Sequence, residues 1–161
     1  LRSGPMKRQE LSLRTFMHTW NRSDRWAFVA SQPDRLPVTA TQAETVKALV
    51  AFERNASAPA AARAYRTGLA RWPNNPTLTM GLGNALYADG DQNGAEAVFR
   101  QVVESHHLAA AYNNLARLLL ERGNTAEARQ WAERGLTVAG PLRETLMDTL
   151  KAIDSAAPPP N

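Results

Sequence analysis

Cysteine is absent from all 161 residues, which removes disulfides, thiolate metal sites and a cysteine nucleophile from the chemistry open to this chain. Long apolar runs are missing too: none approaches the roughly 18 residues that a membrane span requires. The start of the chain has neither the apolar stretch nor the small-residue cleavage site of a secretory signal, and it opens on Leu1 rather than methionine, which reads as a processed product or a piece of something longer. An excess of one charge is lacking over most of the length. The net charge of +4 sits in residues 1 to 40, where seven basic side chains face three acidic ones; the remainder carries twelve of each with the signs mixed. A neutral, mixed surface is poor footing for tracking phosphates, so nucleic acid is not an expected partner.

What is present is a repeat. The run Leu82-Gly83-Asn84-Ala85-Leu86-Tyr87 through Gly90, followed by Ala95, Phe99 and Val102, recurs one period later as Leu115 to Leu120 through Gly123, then Ala128, Ala132 and Gly135. Ala61, Tyr65, Gly68 and Leu69 likewise stand one period before Ala95, Phe99, Val102 and Val103. The period is about 33 to 34 residues, the length of a helical repeat unit. A helix-turn-helix unit explains it. Leu82, Ala85 and Leu86 recur at helical spacing, Gly90 stands where a left-handed C-cap belongs, and Asp91 is placed to cap the next helix, so the first helix ends near Asp89. Small residues at Gly83, Ala95 and Val102, with Ala116, Ala128 and Gly135, let paired helices approach closely, while Leu82, Phe99 and Leu115 fill the space beside them.

These segments resemble tetratricopeptide repeats, whose units carry Leu-Gly, Tyr, Ala, Phe, Ala and Pro at set positions. Leu82, Gly83, Ala95 and Phe99 match, as do Ala61, Tyr65 and Pro73 in the preceding unit. His107 departs from the pattern at the terminal proline, Leu115-Ala116-Arg117 departs from the Leu-Gly pair, and the unit is one residue short. The expected fold is therefore all-α, a superhelix of about three repeats over residues 42–75, 76–108 and 109–140 within a repeat domain at 41–154. The first helix, Gln42 to Arg54, is placed by period and by Val46, Leu49, Val50 and Phe52. After the last repeat, Leu142, Leu146, Leu150 and Ile153 form a single stripe, which predicts a capping helix over 141–154 opened by Pro141. Residues 155–161, with three prolines, read as a mobile tail.

Residues 1–37 read as a short mixed α/β segment. Leu11 to Trp20 reads as a helix, Trp26 to Ala30 as a buried strand in need of a partner, and Gln32 to Pro37 as an extended linker. Joined to such repeats, Leu1-Arg2-Ser3-Gly4, Leu13 with Phe16, Thr19-Trp20, Trp26-Ala27 and Pro33 through Pro37 are similar to the end of a papain-fold bacterial cysteine peptidase domain related to the bacteriocin-processing enzymes. That resemblance implies a parent peptidase whose cysteine and histidine lie upstream, a bacterial envelope or periplasmic setting, and no catalysis in this chain. An uncovered strand in the segment predicts a homodimer through residues 1–40.

No constellation for catalysis, metal or cofactor stands out. His106 and His107 are adjacent and point apart, His18 is alone, Asp89 and Asp91 flank too short a turn for calcium, and Gly81 to Asn84 lies inside a helix where it cannot cradle phosphate. The concave face, made by the first helix of each unit, has the better claim as a protein- or peptide-binding surface. The repeat frame puts Thr77, Met80, Asn84 and Tyr87 there, then Asn113, Asn114, Arg117 and Glu121. Asparagines can hold a peptide backbone through paired donor and acceptor bonds, and an arginine can meet a carboxylate. Asn84 and Asn114 occupy positions where chaperone-binding members of the family grip a C-terminal carboxylate, but Met80 stands in place of their lysine, which argues against such a clamp. The competing readings are that Asn84 follows the repeat consensus with Arg117 merely solvated, and that the repeats only pack against a peptidase core.

Overall fold

The computed structural model describes residues 40–156, and the features expected within residues 1–39 and 157–161 lie outside them. Among the described residues the chain forms seven α-helices and no strand: α1 (Gln42–Glu53), α2 (Ala58–Arg71), α3 (Pro76–Ala88), α4 (Gln92–Ser105), α5 (Ala109–Glu121), α6 (Thr125–Leu136) and α7 (Arg143–Ala156), the last preceded by a 3-10 turn at Gly140–Leu142. Consecutive helices pack in pairs, and odd-numbered helices also meet one another at α1 with α3 and at α5 with α7. This is the expected repeat architecture.

Local chemistry sets the helix ends. Thr41 and Glu44 form a reciprocal capping box at the start of α1. Asn75 Oδ1 accepts the Leu78 N–H at 3.0 Å ahead of Pro76, which fills the first turn of α3 without forfeiting a bond. At the end of α3, Gly90 takes φ +84°, its N–H bonds the Tyr87 carbonyl at 3.1 Å and the Asp91 N–H bonds Leu86 at 3.0 Å. The same pair of bonds recurs at Gly123, where φ is +80°. These are Schellman endings, and the left-handed φ is the physical reason for glycine at both positions. Asp91 Oδ1 then caps α4 through the Gly94 N–H at 2.9 Å.

The α4–α5 junction ends differently. His107 has φ +51°, the single positive φ at a non-glycine among the described residues. A proline, whose ring confines φ to negative values, cannot adopt it. The loss of the repeat's terminal proline and the left-handed backbone here therefore go together.

The core runs the length of the array, with Tyr65, Phe99, Leu78, Leu115, Leu118, Leu119, Leu146 and Ile153 all fully buried. Ala61, Ala95 and Ala128 are buried at equivalent places in α2, α4 and α6, the small side chains at which paired helices meet. Two apolar residues of the α1 pattern behave otherwise: Val50 and Phe52 are 36% and 40% exposed, and Thr45 with Leu49 supplies the buried face. Among the described residues α1 packs on α2 and α3, which cover one side of it. Trp72 and Trp131 are half-buried, each with an arginine guanidinium over its ring, Arg71 at 4.8 Å and Arg134 at 4.8 Å.

At the far end α7 starts at Arg143, two residues past Pro141. Gly140 and Pro141 form the 3-10 turn instead, closed by the Leu142 N–H to the Ala139 carbonyl at 2.9 Å. Leu146 and Ile153 are buried, with Leu150 packed beside them, so the expected stripe is the docking face.

On the side of the second helices, an ionic network joins successive units. Arg122, the C-cap of α5, pairs with Glu96 and donates to Asn93 at 2.7 Å, while Arg100 bridges Glu96 at 2.7 Å and Glu127 at 2.7 Å. Trp131 Nε1 also donates to Glu127 at 3.1 Å. The Arg100 hydrogen bond, assisted by that of Trp131, holds the Glu127 carboxyl below its usual range. Several charges sharing partners across α4, α5 and α6 clamp the spacing of units better than an isolated surface pair does.

Candidate functional site

Side chains of α3, α5 and α7 line one face of the repeat array. Two hollows occupy it and meet at Arg117. One, about 220 Å³, lies between α3 and α5 and is bounded by Asn84, Tyr87, Asn114 and Arg117 with Phe99 of α4 beneath. The other, about 350 Å³, lies between α5 and α7, with Arg117, Leu120 and Glu121 on one wall and Thr145, Asp148, Thr149 and Ala152 on the other.

Two hydrogen-bonded rungs cross from α3 to α5. Asn114 Nδ2 donates to Asn84 Oδ1 at 2.9 Å. One helical turn on, the Tyr87 hydroxyl donates to the Glu121 carboxylate, with either oxygen at 2.6 Å. That bond, reinforced by burial and the Glu121 charge and opposed by nearby Arg117, raises the Tyr87 phenol above its ordinary pKa. Arg117 is exposed and makes no ion pair among the described residues.

The expected site residues divide on this geometry. Asn84, Tyr87, Asn114, Arg117 and Glu121 come together around the α3–α5 rungs and the two hollows. Met80 is half-buried one turn before Asn84. Asn113 stands apart: it is 6% exposed, and its Oδ1 accepts the Thr149 hydroxyl at 2.7 Å, so it pins α7 to α5. Its amide is committed to packing, and it does not belong with the groove-facing residues.

Sequence reasoning missed the α7 wall. The signal was present, since one further step of the repeat period carries Ala109–Glu121 onto residues 142–154. On that count α7 is the first helix of an incomplete fourth unit, and Thr145 and Asp148 fall on the groove because first helices do.

Tyr65 repeats the phenol–carboxylate theme at the opposite end. It is fully buried, its hydroxyl donates to Glu53 Oε2 at 2.6 Å, and burial first, then that bond, pushes its pKa far up. A raised folded-state pKa stabilises the fold below the unfolded tyrosine value near 10, and the contribution is lost as pH climbs beyond it. Resistance to urea should thus hold between about pH 8 and 9.5 and decline from about pH 10 upward. In Tyr65→Phe the decline should be visibly shallower; an equal slope in both proteins would refute the assignment.

Among the described residues no helix is long and apolar enough to cross a membrane, and no group of three or more histidine, cysteine, aspartate or glutamate side chains is placed to hold a metal ion. Comparison with curated proteins gives no match. Two family models do match, each described as tetratricopeptide repeat, over residues 47–106 and 108–139. Such repeats are typically non-catalytic modules of protein–protein interaction. With paired helices, small residues at the helix contacts and matches along nearly all of 47–139, the chain belongs to the tetratricopeptide repeat family.

Proposed function

We propose that the chain binds an extended peptide segment of a partner protein along the groove of α3, α5 and α7. The observation that carries this reading is the pair of hollows joined at Arg117. Their polar walls are amide, phenol and guanidinium groups, which can exchange partners with a peptide backbone or a carboxylate. The resemblance within residues 1–37 supports a further step: the array is the C-terminal region of a bacterial cysteine peptidase, to which the groove brings substrate or a partner protein. On the same footing, a homodimer would form through residues 1–40.

The test is selection of a random peptide library against the full chain, followed by Asn84→Ala, Tyr87→Phe and Arg117→Met in combination. Three lost polar contacts at about 1 kcal/mol each correspond to roughly a hundredfold weaker binding. Helicity should be retained, because none of the three side chains belongs to the buried core. Undiminished binding by the triple variant would sink the concave-face reading. A selection yielding no binder would favour the alternative, repeats that serve assembly alone.

A further inference from the structure

We infer that the α3–α5 hollow is a socket for one apolar side chain of the bound segment, aliphatic or phenyl, and that Arg117 at its rim pairs with an acidic side chain two residues away along that segment. This rests on the concave-face reading and adds the chemistry of what is bound.

The first support is the state of the walls. Asn84 and Asn114 bond each other, and Tyr87 bonds Glu121, so the socket is framed by two rungs. An apolar side chain entering between them leaves both rungs intact and asks neither to change partner. Beneath lies the ring of Phe99, 1% exposed, which gives the entering group an apolar floor. The volume, about 220 Å³, exceeds the roughly 150 Å³ of an apolar cavity that admits benzene, so a leucine or phenylalanine side chain fits.

Charge supplies the second support. Three charged groups line the two hollows, and two of them are engaged: Glu121 by Tyr87, and Asp148 by Lys151 at 2.9 Å. Arg117 is the one with neither an ion pair nor a side-chain hydrogen bond among the described residues, so the complement it invites is a carboxylate. Arg117 borders both hollows, so a group paired with it lies next to the occupant of the socket. In an extended chain, residues i and i+2 face the same way about 7 Å apart, which brings the two side chains to the socket and the rim together.

The experiment measures fluorescence anisotropy of labelled, C-terminally amidated octapeptides on a serine–glycine background, titrated with the full chain. Each carries leucine and glutamate one, two, three or four residues apart, in both orders. A separation of two should bind at least tenfold tighter than the others and than its leucine-to-serine or glutamate-to-glutamine analogue. Arg117→Met should bring each glutamate peptide down to the affinity of its glutamine analogue while the preference for leucine persists. The inference is overturned if lysine serves as well as glutamate, if spacing has no effect, or if binding needs a free C-terminal carboxylate. Library-selected peptides that lose binding in the triple variant but show no dependence on this pairing would overturn the inference alone. Selected peptides indifferent to the triple variant, or no peptide bound at all, would overturn both readings.

Discussion

Gly81→Ala is expected to destabilise the chain by about 3 kcal/mol or more, at the upper end of what overpacking a core costs. A Cβ added at Gly81 would lie 2.2 Å from Tyr65 Cζ and 2.4 Å from Cε1. Tyr65 is enclosed on all sides and tied to Glu53, so its ring cannot swing aside into open space. The better helix propensity of alanine offsets only about 1 kcal/mol. Because Gly81 is the place where α3 receives the second helix of the preceding unit, the damage should fall on one junction. In a linear array that uncouples α1 and α2 from the rest, and urea unfolding followed by circular dichroism should change from one transition to two. Tyr65→Leu combined with Gly81→Ala should cost less than the two changes summed; strict additivity would show that the contact is not the cause.

Phe99→Ala should cost about 3–5 kcal/mol, the range for removing a fully buried aromatic ring. Phe99 is the counterpart of Tyr65 one unit on, and a Cβ at Gly83 would come within 2.6 Å of its Cε1. The ring therefore bears on the backbone of α3 on one side and floors the groove hollow on the other. Phe99→Leu keeps most of the apolar volume, and its cost should stay below about half that of the alanine change. A loss under about 1 kcal/mol for Phe99→Ala, measured by urea denaturation, would mean that the site collapses freely and that the ring does not shape the groove.

The repeat was legible because its determinants are local or strictly periodic. Gly90 and Gly123 announce left-handed helix ends by residue type, Asp91 announces a cap, and the Leu146 to Ile153 stripe announces which side of α7 is buried. Periodicity cannot say which faces have neighbours, and so Val50 and Phe52 read as core although little of the described chain covers them. Pairings between units were equally hidden. Arg122 with Glu96, Tyr87 with Glu121 and Asn113 with Thr149 depend on how far one unit is rotated on the next, which no spacing encodes. Asn113 shows the consequence most plainly: the frame sets it on a first helix beside Asn114, yet one amide faces the groove and the other is locked under α7. His107 is a further instance, since the missing proline was visible and the left-handed backbone that excludes it was not.

The central claim is that ligands enter on the side of α3, α5 and α7. It is tested most directly by titrating the isotope-labelled full chain with the tightest amidated peptide from the library and following its amide signals by NMR. The account predicts the largest shifts at Asn84, Tyr87, Asn114, Arg117 and Thr145, including the side-chain amides of Asn84 and Asn114, with α2, α4 and α6 little affected. Shifts concentrated on α2, α4 and α6, with Asn84 and Arg117 unmoved, would contradict it.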